Sequence, residues 1–244
     1  MAGILRVDQI QSTAGANVID VSSGSFKIWN GSSYQNFTVS GALLSINTYT
    51  SQNGTWNSKS TSGGSGVWSK PSGCNHVLVY VTGGGGGARI NDNQYRGAGG
   101  GGGATAIRYI DVSNVSSVNY TYGGGGGYAR NGGRGGTGGT SSFGSYVTAT
   151  GGQGGYSDNP YQGGPGGNAS GGDINIPGGG GEMSHGTNRE GGGGGSFWHQ
   201  SGSSHHYANN QEEISHGQWG SGGGYGYYSQ NSFAYNNSNG GAGC

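Results

Sequence analysis

Large apolar side chains are scarce in this chain of 244 residues. Leu, Ile, Val and Phe together fill 32 positions, whereas ordinary globular chains give them at least about a fifth of their residues. An oily core of the usual size is therefore excluded. In disordered chains the same deficit comes with high net charge, but here ten Lys and Arg balance ten Asp and Glu to a net charge of zero. Composition permits disorder without demanding it. A basic surplus is also missing: seven Arg and three Lys are scattered with no basic face. Phosphate backbones are held by concentrated Lys and Arg, so no nucleic acid is expected as a partner.

No apolar run reaches the roughly 18 residues of a bilayer span. The opening MAGILRVDQIQ lacks the apolar stretch of a signal peptide. Synthesis in a cytoplasm and no membrane insertion are the expectations. Two cysteines, Cys74 and Cys244, are too few for a disulfide scaffold and have no metal spacing. Cys74 reads as a small buried residue beside a strand and Cys244 as an exposed end; whether they pair is open.

What is abundant is glycine, 63 residues, with 16 Tyr and five Trp. Three zones follow along the chain. Residues 1–45 read as a separate N-terminal segment of short strands, ILRVDQI, VIDVSSG, FKIW and YQNFTV, separated by Gly, Asn and Ser. Isolated hairpins of this size cannot bury an apolar face within one chain. Several copies wound round a common axis would solve that; a mobile linker is the alternative. Residues 46–82 form a short β region. From Asn75 to Val81 the chain alternates, with Val77, Val79 and Val81 on a face to be buried and His76, Leu78 and Tyr80 on the other. Trp56 and Trp68 are expected to cover the valine face.

Residues 83–244 alternate glycine runs with polar and aromatic inserts, among them the strand-like ATAIRYIDVS, SSVNYTY and SSFGSYVTAT. The runs have no Gly-X-Y register and the chain has four prolines, which excludes collagen. Extended glycine helices of three residues per turn still pack on all sides, because no Cβ holds the backbones apart. Their N–H and C=O groups then pair laterally, as buried peptide groups must, with Cα–H···O contacts adding a little. The expected fold class is mainly β with no long helices: short intertwined N-terminal strands, a small β region, then polyglycine-II-like rods with aromatic loops at their ends.

Those loops carry the candidate binding chemistry: flat aromatic faces and hydrogen-bonding side chains of modest affinity, multiplied by repetition. The candidates are Phe197, Trp198, His199, His205, His206, Tyr207 and Trp219, then Tyr225, Tyr227, Tyr228, Phe233 and Tyr235. Packing against the rods is the competing role for each. Two Glu-x-x-His pairs, Glu182/His185 and Glu213/His216, have the spacing of di-iron ligands. That spacing works on a helical face, and these pairs sit among Gly, Ser and Asn, so no metal and no cofactor are expected. No nucleophile elbow, Walker loop or Rossmann context is present, and paired acids for glycan cleavage are absent. The chain reads as non-enzymatic.

The segments WSKPSGCNHVLVYVTGGGGGA, GAGGGGGATA and TGGTSSFGSYVTATGGQGG together resemble the glycine-rich domain at the distal end of bacteriophage tail fibres. ILRVDQIQSTAGANVIDV is similar to the N-terminal segment of tail-fibre proteins of marine and cyanobacterial phages. A more distant likeness is to T-even-type tail-fibre tip adhesins, although no segment matches their fibre-docking domain. The resemblance implies a virion protein, homotrimeric or tip-mounted, that binds a host polysaccharide or outer-membrane protein and contacts other tail or baseplate proteins. Three other classes remain beside it: a structural fibre, a glycine-rod ice binder and a disordered Gly/Tyr/Arg binder of RNA.

Overall fold

The computed structural model describes residues 9–11, 17–20, 27–29, 32–36, 43–50, 62–91, 96–130, 133–156, 162–183, 191–200 and 220–223. Two compact units divide the chain, Met1–Ile46 and Asn47–Cys244. In the first, β1 (Gln9–Gln11), β2 (Asn17–Asp20), β3 (Lys27–Trp29) and β4 (Tyr34–Asn36) pair in sequence as an antiparallel meander. The unit ends in Leu43, Leu44 and Ile46, which are exposed.

The second unit contains two facing sheets. One holds β5 (Gly64–Ser69), β10 (Ser117–Tyr122), β12 (Ser141–Phe143), β13 (Val147–Ala149) and β14 (Ala169–Ser170), in the order β14-β13-β12-β10-β5. The other holds β6 (His76–Thr82), β9 (Thr105–Asp111) and β15 (Ile174–Ile176), in the order β15-β9-β6. Between them lies a small apolar core that includes Trp68, Val81, Ile110, Val118, Phe143 and Val147. The alternation expected of β6 holds: Val81 is buried with Val77 and Val79 packed against the core, while Leu78 and Tyr80 are exposed. Trp68 joins the core as expected; Trp56 lies outside the described residues. SSFGSYVTAT, read as one strand, is the hairpin β12–β13, because Gly144 turns with φ 53°. Cys74 is half-buried rather than buried; its Sγ donates to the His76 carbonyl at 3.4 Å.

β6 and β10 run directly into glycine rods and β9 follows one, so the 82/83 boundary lies inside one continuous element. Nine rods are described: 83–87, 99–103, 123–127, 135–139, 151–155, 163–167, 178–181, 191–195 and 220–223. Their bonding shows three residues per turn. In rod 99–103 the N–H groups of Gly99 and Gly102 go to Glu182 and Gly179, those of Gly100 and Gly103 to Gly223 and Gly220, and those of Gly101 and Ala104 to Gln153 and Thr150, at 2.7–3.2 Å. Its carbonyls accept from Gly164 and Gly167, from Gly86 and Gly83, and from Gly194. Rod 99–103 is therefore ringed by six others, each held through peptide groups. The remaining two extend the array, 135–139 against 83–87 and 151–155, and 123–127 against 83–87 and 135–139. A Cβ on any of Gly99 to Gly103 would stand 1.9–2.1 Å from a neighbouring carbonyl oxygen. Only glycine lets backbones approach this closely, so a hydrogen-bonded lattice extends the small apolar core.

Bond registers also give direction: successive rods alternate up and down. All strands of the two facing sheets consequently gather at one end of the lattice. At the other end sit β7 (Arg89–Asn91), β8 (Arg96–Ala98) and β11 (Ala129–Arg130), a small sheet in the order β11-β7-β8.

Candidate functional site

At the strand end, the sheet β15-β9-β6 turns one face to the core and the other to solvent. On the outward face β6 contributes His76, Leu78 and Tyr80, and β9 contributes Tyr109 and Asp111, paired by register as His76↔Asp111 and Leu78↔Tyr109. Ile174 of β15, paired with Ile107, is also exposed. The chain leaving rod 191–195 crosses this end as Ser196, Phe197, Trp198 and His199. Ser196 N donates to the His199 carbonyl at 2.8 Å, and His199 N to Ser196 Oγ at 3.2 Å. That closed turn fixes the two aromatic residues between its ends.

Phe197 and Trp198 meet edge to face at 4.9 Å, and Tyr80 lies 5.4 Å from Trp198 and 6.4 Å from Phe197. The three rings are 46%, 45% and 41% exposed. A buried hydroxyl anchors the group: Trp198 Nε1–H donates to Thr82 Oγ1 at 2.8 Å, and Thr82 Oγ1 shares a 2.8 Å bond with Thr105 Oγ1. Behind it, Ser141 Oγ donates to the Thr82 carbonyl at 2.6 Å and accepts from Gly123 N at 2.9 Å. With its N–H taken internally, the indole is held in one orientation while almost half of the residue stays exposed. His199 Nδ1–H donates to the Gln200 carbonyl at 2.7 Å, which sets the tautomer.

Further along the same sheet face, His76 stacks on Tyr109 at 5.0 Å with 3° between the planes. Hydrogen bonds from the Ser113 side chain and backbone hold the Asp111 carboxyl below the usual carboxylate range, and the Lys70 ammonium adds a little to this. The strand end is thus an exposed aromatic platform with a polar margin, suited to stacking and hydrogen bonding. No cluster of three or more His, Cys, Asp and Glu side chains with metal-ligand geometry occurs among the described residues.

Of the twelve site residues expected from sequence, Phe197, Trp198 and His199 are brought together here. His205, His206, Tyr207, Trp219, Tyr225, Tyr227, Tyr228, Phe233 and Tyr235 lie outside the described residues, as do His185, Glu213 and His216. Rod 220–223 separates the two long inserts. Gly220 stands beside Thr82 and Ser196 at the strand end, whereas Gly223 bonds Gly86 and Gly100 towards the opposite end. The chain that follows residue 195 and the chain that follows residue 223 are therefore attached at opposite ends of the lattice. Tyr80 and Tyr109 were missed as site residues, although the alternation of β6 already put Tyr80 on the face opposite the valines.

The chain belongs to a glycine-rich domain family, whose profile matches residues 58–244. No curated protein matches it. Among the described residues no helix is long and apolar enough to cross a membrane.

Proposed function

We propose that this member of the glycine-rich domain family is a receptor-binding protein of a bacteriophage tail fibre, mounted on the virion after synthesis in the host cytoplasm. Its target is a bacterial surface glycan or outer-membrane protein, and it acts without catalysis. The observation that supports this reading most is the platform of Tyr80, Phe197 and Trp198, three part-exposed rings held in fixed orientation at the end of a rod lattice. Rigid aromatic faces bind at low entropic cost. The partners we assign are the host receptor, other tail or baseplate proteins, and two further copies of the chain. Exposed Leu43, Leu44 and Ile46 at the end of a meander of three- and four-residue strands favour association of copies through the N-terminal unit.

The test is binding of the labelled protein to a panel of bacteria, cyanobacteria included, beside the double variant Phe197→Ala/Trp198→Ala. Selective binding that drops tenfold or more in the variant is the expected outcome. Selective binding that the variant retains would move the site elsewhere. A second reading, a structural fibre without recognition, is favoured by the lattice itself, which gives stiffness without any ligand. A folded protein that binds none of the panel would support it.

A further inference from the structure

Three of the nine rods carry an outward residue at every third position; rod 220–223 also breaks its glycines, with Ser221, but that side chain is buried. Rod 135–139 belongs to the stretch Arg134, Thr137, Thr140; rod 151–155 to Thr150, Gln153, Tyr156; rod 163–167 to Gln162, Pro165, Asn168. All nine positions face outward, eight exposed and Tyr156 half-buried. Facing solvent does not by itself explain them. Gly127 and Gly180 also stand at open positions, where a Cβ would meet nothing closer than 3.9 Å, yet both are glycine. Side chains are concentrated on these three rods.

The same three rods are neighbours in one plane. Rod 151–155 bonds 135–139, 83–87, 99–103 and 163–167. The inner pair, 83–87 and 99–103, bond each other, 83–87 bonds 135–139, and 99–103 bonds 163–167. Four successive neighbours in a six-neighbour lattice put the first and last on opposite sides. Rods 135–139, 151–155 and 163–167 therefore lie in a straight row.

Their registers align as well. Gly135 and Gly138 bond Gly155 and Gly152, and Gln153 and Tyr156 bond Pro165 and Gln162. Arg134 thus stands level with Tyr156 and Gln162, Thr137 with Gln153 and Pro165, and Thr140 with Thr150 and Asn168. The result is a flat three-by-three grid that repeats along the rods every three residues, roughly 9 Å. Several of its members are already held. Arg134 lies 4.0 Å over the Tyr156 ring, and Tyr156 Oη donates to Gln153 Oε1. Thr150 Oγ1 donates to the Asn168 carbonyl at 3.1 Å and accepts from Asn168 N at 2.8 Å.

We infer that this lateral plane is a second binding site, distinct from the strand-end platform, and that it takes an extended neutral polysaccharide. One formal charge stands on the grid, and that guanidinium rests on a ring, so an anionic polymer has no basic array to meet. Threonine hydroxyls and carboxamides both donate and accept, as sugar hydroxyls do. A plane with an axial repeat suits a chain of repeating units, and weak contacts repeated along it add up. The inference does not depend on the strand-end site or on where the protein is mounted.

The test is co-sedimentation of the full-length protein with insoluble cellulose, mannan and starch, for the parent, for Thr137→Ala/Thr140→Ala/Gln153→Ala, and for Phe197→Ala/Trp198→Ala. The replaced grid positions already carry an outward Cβ, so the melting temperature should stay within a few degrees of the parent's. If the triple variant melts early, Gln153→Ala alone takes its place. Retention on at least one polysaccharide that falls tenfold in the grid variant and survives in the aromatic one is expected. Retention unchanged in the grid variant, retention lost in the aromatic variant alone, or none by the parent would overturn the inference. A thermal hysteresis of the parent that the grid variant loses would reassign the plane to ordered water and overturn it too.

Discussion

A methyl group is the unit of consequence in this molecule. At Gly101 a Cβ would sit 2.0 Å from the Pro165 carbonyl oxygen, in the middle of a rod bonded on every side. The obstacle is backbone, so relief would require rods to separate and peptide groups to lose their partners, at about 1–3 kcal/mol for each one left unsatisfied. At Gly180 the nearest atom to a Cβ is the Gly164 oxygen at 3.9 Å, and φ is not positive. Removing freedom from the unfolded chain without strain in the folded one stabilises by about 0.4–1 kcal/mol. The paired prediction is that Gly101→Ala lowers the thermal midpoint strongly or prevents folding, while Gly180→Ala leaves it unchanged or raises it slightly. Melting both variants by circular dichroism checks it. Equal effects would mean that lattice contact does not decide where glycine is required.

A rod has phase as well as length. In rod 151–155 the N–H groups of Gly152 and Gly155 reach Gly84 and Gly87, those of Gln153 and Tyr156 reach Pro165 and Gln162, and the Gln153 side chain points to solvent. One glycine inserted between Gly152 and Gln153 turns everything beyond it by a third of a turn. Gln153 then takes the place of Gly154, where a Cβ meets the Gly135 oxygen at 1.9 Å. A three-residue Gln-Gly-Gly insertion at the same point keeps every side chain outward and lengthens the rod by one turn. The single insertion should therefore lower the melting temperature much more than the triple one, the reverse of what inserted length alone dictates. Rods as such were legible, since glycine runs between strand-like inserts imply extended backbones packed without Cβ atoms. Their phase was legible too and was passed over. GGRGGTGGT, TGGQGGY and QGGPGGN carry a Gly-Gly-X period, contrary to the reading that the runs have no three-residue register, and X marks the outward position. Neighbour relations were not legible. A featureless run such as 99–103 offers nothing by which one neighbour differs from another, and long-range pairing alone puts it at the centre. For the same reason sequence singled out Phe197 and Trp198 but missed that Tyr80 completes their platform.

Heat capacity distinguishes a core of peptide groups from one of side chains. Exposing apolar surface raises the heat capacity of unfolding and exposing polar surface lowers it, for a usual net of about 12–15 cal/mol/K per residue. The buried core of the second unit consists of a handful of larger side chains with Ala104, Ala106 and Ala149. Beside it, the rods bury peptide groups around residues that are nearly all glycine. Unfolding should therefore give a heat-capacity increment clearly below the usual range and a stability curve flatter than that of an ordinary domain of this length. Scanning calorimetry over a series of pH values, with the increment taken from the slope of unfolding enthalpy against midpoint temperature, measures it. An increment within the usual range would require apolar burial beyond what one chain supplies. Association of copies through Leu43, Leu44 and Ile46 would supply it, and the two sources separate on dilution: the midpoint of an associated form falls with protein concentration, whereas a lattice complete within one chain melts at the same temperature throughout.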